Sequence, residues 1–255
     1  MIDCRAFLLV LLLAVLPAPT FVMAADAPPA LTAIAQWPAT GTLRYSVRRG
    51  ADGLVLGRIT HEWQHDAQTY RLRAVTETTG IAALLKPSRS VQESHGEIVA
   101  GSLRPLEFRH EKKNGTEQAV FDWANETVSY RDEQVLVRHG VQDLLSMVYQ
   151  LALVRGERGA LSMTIASGTK LEEYRFEFIG RETMGSGEHA RQVDHLKVVN
   201  GDQKIEFWVS PLLPAKSVAA QQETAPVLPW KIRVTDKHGD FLEQFVESAA
   251  DVPAQ

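Results

Sequence analysis

From residue 42 onward the chain alternates apolar and polar residues with a period of two, in short runs cut by turn residues. No other feature restricts its fold as much. Leu43, Tyr45 and Val47 alternate with polar neighbours, as do Tyr70, Leu72 and Ala74, and Ala119, Phe121 and Trp123. Tyr174, Phe176 and Phe178 interleave with Glu173, Arg175 and Glu177. Successive side chains of an extended strand point to opposite faces, so this pattern gives each strand one dry side and one wet side. The breaks carry turn chemistry: Asn114-Gly115, Asn200-Gly201 and His238-Gly239 place residues that tolerate positive φ between runs. Some ten or eleven strands are predicted this way, which is enough for a one-sided sheet to curl strongly.

One segment departs from the alternation. Residues 141–155 place Leu144, Leu145, Val148, Leu151 and Ala152 at helical spacing, with Gly156 as a stop and Asp143 in the first turn, where the helix dipole favours an acid. A lone amphipathic helix in an antiparallel chain has to bury its apolar side against the sheet. The predicted fold is therefore mainly β: a strongly curved antiparallel sheet or open half-barrel with one helix packed on its concave face. Residues 79–87, with Leu84, Leu85 and Pro87, read as an apolar loop without strand alternation, either tucked under the sheet or forming a mouth for a hydrophobic ligand.

The chain opens with a segment of a different kind. An uninterrupted apolar run at residues 7–16 follows Arg5, and Pro17, Pro19 and Val22-Met23-Ala24 come after it. This is the layout of a secretory signal cleaved near Ala24, and the run is about half the length a spanning helix needs. The expected organisation is a signal peptide at 1–24, a leader at 25–40, a single β-rich domain at 41–248 and a tail at 249–255. The expected location is periplasmic or secreted, with no transmembrane span in the mature chain. Cys4 is the only cysteine, so the mature chain supports neither a disulfide framework nor a cysteine-based metal site. With 27 basic against 31 acidic residues the net charge is −4, so nothing draws the chain to nucleic acid.

Two short motifs suggest chemistry that their surroundings argue against. His61-Glu62-Trp63-Gln64-His65 has the spacing of a zinc-peptidase helix, with two imidazoles one turn apart and a glutamate base. It follows a strand-like run, and on a strand four residues span roughly 13 Å, too far for both imidazoles to reach one ion. The expected arrangement is a strand end with Trp63 inward and the histidines facing solvent. Ser167-Gly168-Thr169-Lys170 has the spacing of a serine–lysine pair but reads as a hairpin turn, and its companion motifs are absent. No nucleophile-elbow, dinucleotide-binding or phosphate-loop sequence occurs. Neither a cofactor nor a metal is implied.

Several positions, taken in order, resemble the bacterial family catalogued as domain of unknown function 3108. They are Gly41 to Tyr45, Gly57 ahead of an aromatic strand ending at Trp63, and Gly101-Ser102-Leu103-Arg104-Pro105 with Phe108. The helix start Asp143-Leu144-Leu145-Ser146-Met147-Val148-Tyr149 follows, then Ile205-Glu206-Phe207-Trp208-Val209-Ser210 and Leu228-Pro229. Pro105, Asp143, Ser146, Trp208 and Pro229 are the motif positions, and the resemblance covers about residues 40–248. The stretch 211–226 departs from the family pattern as an insertion. The resemblance implies a secreted or periplasmic β-rich protein similar to open half-barrels of the lipoprotein-carrier type, and it implies no activity.

The leading expectation is a non-enzymatic envelope protein whose concave sheet binds a lipid, an acyl chain or another hydrophobic ligand. The ligand would be lined by Tyr45, Phe108, Phe121, Leu144, Tyr149, Phe176 and Phe207. The same residues bury equally well against the helix, in which case they serve folding alone. Two alternatives stand beside this reading. One is an envelope module that binds another protein through a sheet edge or rim loops. The other is a zinc hydrolase built on His61, Glu62 and His65.

Overall fold

In the computed structural model of the protein, residues 37–50, 53–153, 161–187, 190–211 and 228–247 are described. The first half is a meander of eight strands: β1 (Thr40–Arg49), β2 (Val55–His65), β3 (Thr69–Thr78), β4 (Arg89–Val99), β5 (Ser102–Lys112), β6 (Gly115–Asp122), β7 (Thr127–Tyr130) and β8 (Glu133–Leu136). A short helix, α1 (Gly80–Leu85), interrupts it between β3 and β4. The second half begins with β9 (Gln142–Asp143) and a helix, α2 (Leu144–Leu153). It continues through β10 (Leu161–Ala166), β11 (Leu171–Met184), β12 (Arg191–Asn200), β13 (Gln203–Val209), β14 (Lys231–Thr235) and β15 (Phe241–Val246).

All fifteen strands belong to one sheet, in the order β8-β7-β6-β5-β4-β3-β2-β1-β15-β14-β13-β12-β11-β10-β9. The two meanders are joined where the first and last strands pair, Tyr45 opposite Val246 and Arg49 opposite Leu242. Every pairing is antiparallel except one: β9 runs parallel to β10, with Gln142 opposite Ile165 and Asp143 opposite Ala166. A wholly antiparallel sheet was expected. The exception arises because the strand feeding the helix is only two residues long and α2 carries the chain over to β10, as a crossover requires.

The sheet curls around α2, which packs against β3, β4, β5, β9 and β10. Eight of its residues are buried, from Leu145 to Met147 and from Tyr149 to Leu153, so the helix is enclosed almost all round. Leu145, Tyr149 and Leu153 enter a core with Tyr45, Tyr70 and Phe108 from the first meander. Met147 and Leu151 enter a second core with Phe176, Phe207 and Ile232 from the other. Leu144 and Val148 touch both. The mainly β, curved and open sheet with a helix in its concavity is thus the observed architecture.

Five elements escaped the sequence reading: α1 stands where an apolar loop is expected at residues 79–87, β9 takes the first positions of the expected helix, and β4, β7 and β8 are unannounced. β4 hides its alternation because inward positions hold Ser94 and Gly96 rather than large apolar residues. A Cβ at Gly96 would meet the Arg104 carbonyl and the Tyr70 ring, so only glycine fits where β4 and β5 slip register. β7 and β8 are four residues each, too short to show a period. The predicted hairpin at Asn114-Gly115 forms, with Lys112 opposite Gly115. The predicted signal segment, most of the leader, the insertion from residue 212 to 226 and the tail from 249 lie outside the described residues.

Candidate functional site

Two buried polar groups fix the helix in the sheet. Asp143 ends β9 and caps α2: its Oδ1 accepts from the Leu145 and Ser146 amides at 2.8 and 2.7 Å, and its own amide donates to Ser146 Oγ at 2.9 Å. This is a reciprocal capping arrangement. The other carboxylate oxygen accepts from Ser94 Oγ at 2.6 Å, and the Tyr70 hydroxyl lies 3.3 Å from Ser94. Full burial raises the Asp143 pKa to about 6, although these hydrogen bonds pull it down. All four side chains are buried. The work of the Ser94–Asp143 contact is to aim the helix.

The second group surrounds His61. His61, Trp63 and His65 alternate on β2 and therefore share one face, which is the inner one. The expectation of solvent-facing histidines opposite an inward Trp63 is corrected here, because a period of two puts all three together. His61 is only 5% exposed. Its Nδ1 lies 3.4 Å from the Tyr149 hydroxyl, and its ring meets Tyr45 edge-on at 5.5 Å. Burial lowers its pKa to about 4, so the imidazole is neutral. Glu62 points to the opposite face and pairs with Arg73 at 3.1 Å. The zinc-peptidase constellation is not formed, and no cluster of three metal-ligating side chains occurs among the described residues. Ser167 and Lys170 close the β10–β11 turn as expected, the Ser167 amide donating to the Lys170 carbonyl at 3.0 Å.

The proposed ligand-lining residues are all placed in the interior. Tyr45, Phe108, Phe121 and Tyr149 are buried in the first core, and Phe176 and Phe207 in the second. Leu144 packs between the two. They are brought together around α2, and none lines the cavity described next.

That cavity lies at the seam where the curled sheet comes back on itself. β6 pairs with β5 only from Glu107 to Lys112, which leaves the edge from Ser102 to Leu106 without a strand partner on that side. β9 pairs with β10 only at Ile165 and Ala166, which leaves the edge from Leu161 to Thr164 equally open. Side chains bridge the interval. Gln142 Nε2 donates to the Leu103 carbonyl at 2.8 Å, and the Leu103 amide donates to Gln150 Oε1 at 2.8 Å. Trp123 Nε1 donates to the Pro105 carbonyl at 2.6 Å. Between the two edges is a space of about 440 Å³. Val99, Leu103, Trp123, Val141, Leu161 and Met163 form its apolar walls, and Ser102, Arg104, His139, Gln142, Gln150 and Ser162 its polar ones. Gln142 is 2% exposed, and its Oε1 has no hydrogen-bond partner. A buried acceptor left open beside a cavity is a place for a donor. No local pattern signals this site, because its walls come from five separated stretches of chain.

On the outer face of β11 to β15 lies a charged and aromatic belt that also went unread. His195 stacks on Trp208 at 4.4 Å and its Nδ1 is 2.6 Å from Glu182. Lys231 Nζ lies over the Trp208 ring at 3.8 Å and reaches Glu243 at 3.2 Å. Arg233 Nε also donates to Glu243, at 2.7 Å, and Glu243 has no exposed surface. The Tyr45 hydroxyl donates to the Pro229 carbonyl at 2.5 Å, tying β1 to the approach to β14.

The family model described as "Protein of unknown function (DUF3108)" matches residues 44–225. Pro229 and the closing strands lie beyond that range, although the resemblance in the sequence extends to about 248. No curated protein matches the sequence. Among solved structures, the chain is similar to a beta-barrel-like protein of the domain of unknown function DUF1849 from Brucella abortus. Identity is 12% and the TM-score 0.46, over 81% of this chain and 95% of that one.

Proposed function

The chain belongs to the DUF3108 family, a description that carries no activity, and from its own geometry we propose a non-enzymatic binding protein that holds one hydrophobic or amphipathic molecule at the seam of its sheet. The observation behind this is the cavity itself. Its volume of about 440 Å³ is in the range of small-molecule sites, its walls are largely apolar, and one buried acceptor, Gln142 Oε1, is unpaired. An acyl chain or similar apolar body fits along Val99, Leu161 and Met163, with a hydroxyl or amide donor turned to Gln142. The aromatic residues first considered as lining are spent on the helix, so the ligand site moves from the centre of the concavity to its edge. The signal-like start of the sequence supports a place outside the cytoplasm.

A fluorescent fatty acid titrated into the purified protein tests the reading. One saturable site per chain is expected. A Val99→Trp/Leu161→Trp variant, which fills the seam from its accessible side, should weaken uptake by about tenfold or more with an unchanged circular dichroism spectrum. No saturable uptake by the parent, or equal uptake by the filled variant, overturns it.

A further inference from the structure

We propose that α1 and the adjoining start of β2 form a tip that docks on the surface of a phospholipid bilayer containing anionic lipid. The helix is built inside out. Ile81, Leu84 and Leu85 stand at i, i+3 and i+4 and so share one face, yet that face is turned to solvent, with exposures of 60%, 85% and 81%. Ala82 and Ala83 are the half-buried residues, and no residue of the helix is buried. Leu54 and Val55 are exposed beside it, since α1 lies against β2 and the Thr79 amide donates to the Leu56 carbonyl at 3.1 Å. The patch is pinned at its base: the Thr78 amide donates to the Ser88 carbonyl and the Ser88 amide to Thr78 Oγ1, each at 3.0 Å. The fold therefore holds these leucines outward.

The charge around the tip selects the occupant. Residues 78–92 contain Lys86 and Arg89 and no acid. Among the described residues neither cation is in an ion pair, and Glu77, opposite Arg89 in the ladder, makes none with it. Ile81, Leu84 and Leu85 with Lys86 and Arg89 at their base match the depth profile of a bilayer surface, apolar groups below and phosphates beside the cations. A six-residue helix offers far less than the roughly 800 Å² per partner of a stable protein interface. At six residues α1 is too short to cross a bilayer and can engage only its surface. It stands at the opposite end of β4 from the seam, Arg89 being at one end and Val99 at the other. Its failure and that of the seam site are therefore separable.

The test is co-sedimentation of the full chain with vesicles of phosphatidylethanolamine and phosphatidylglycerol. Leu84→Asp/Leu85→Asp should lower the partition coefficient by about tenfold or more, while Leu136→Asp, at an exposed position on β8, should leave it unchanged. Because residues 7–16 are common to all variants, Leu84→Trp supplies a second readout: its added fluorescence should be quenched by brominated phospholipid. Equal partition of parent and Leu84→Asp/Leu85→Asp together with no quenching at position 84 overturns the proposal. So does loss of a dimer, rather than of vesicle binding, in Leu84→Asp/Leu85→Asp, which would assign the patch to a second copy of the chain.

Discussion

Two buried titratable groups hold the helix, Asp143 at its start and His61 at Tyr149, and their pH dependences have opposite signs. His61 has a pKa of about 4 in the fold against an ordinary 6.5. Below pH 6.5 the unfolded chain takes up a proton that the folded one refuses. Its contribution is complete above 6.5 and is lost as pH falls towards 4. Asp143 has a pKa of about 6 against an ordinary 3.8. Between those values the folded chain holds a proton that the unfolded one has released, so its contribution is complete below 3.8 and is lost as pH rises through 6. A tenfold change in proton activity is worth about 1.4 kcal/mol. Each group therefore moves stability by about 3 kcal/mol across the window from pH 7 to 4, and together they nearly cancel.

Single substitutions uncover the two slopes. Asp143→Asn keeps an acceptor for the Leu145 and Ser146 amides but removes the titration, so from pH 7 to 4 it should lose about 3 kcal/mol more than the parent. His61→Phe keeps an aromatic ring between Tyr45 and Tyr149, and should gain about 3 kcal/mol relative to the parent over the same range. Any constant cost, such as about 1–2 kcal/mol for the unpaired Tyr149 hydroxyl, leaves the slope untouched. The two side chains share no hydrogen-bond partner, so the double variant should restore the parent's slope. Urea unfolding followed by tryptophan fluorescence at pH 4, 5, 6 and 7 measures all four proteins. Parallel curves for the parent and both single variants would refute the assignment of these groups as buried and displaced.

Two further outcomes concern the frame. Glu243→Ala leaves Lys231 and Arg233 on the outer face without their shared, fully covered carboxylate, and should cost about 3–5 kcal/mol in thermal or denaturant unfolding. A loss below about 1 kcal/mol would show that the belt is solvated. Gly96→Ala drives a methyl group towards the Arg104 carbonyl and the Tyr70 ring, and should cost about 1–3 kcal/mol, with hydrogen exchange quickening in β4 and β5 first.

What the sequence made legible was whatever repeats locally. The runs around Tyr45, Tyr70, Phe121, Phe176 and Phe207 specify strands and a dry face, because a period of two has one structural meaning there. The segment around Leu144 to Ala152 specifies a helix by the same logic. β4 was lost because Ser94 and Gly96 face inward for reasons that lie elsewhere, under Asp143 and Tyr70. The inward turn of His61 was available from the period alone, once Trp63 was placed inside. The seam was not available, because nothing near Val99 announces that Leu161 and Gln142 will stand across from it.

The positions on which the sequence resemblance rests lie, seen in place, at joints of the curled sheet. Asp143 and Ser146 start the helix, Pro105 and Pro229 lend carbonyls to Trp123 and Tyr45, and Trp208 organises the outer belt. β9 and α2 meet β5 without a strand ladder. At Leu103 the wall is closed by two side-chain amides, Gln142 and Gln150, each hydrogen bond worth about 1 kcal/mol net. Parting a wall held in this way costs far less than separating two paired strands, whose many bonds break together. Among the described residues, β5 from Ser102 to Leu106 faces α2 and β9 through side-chain hydrogen bonds instead of a ladder, and the cavity with the unpaired acceptor lies there.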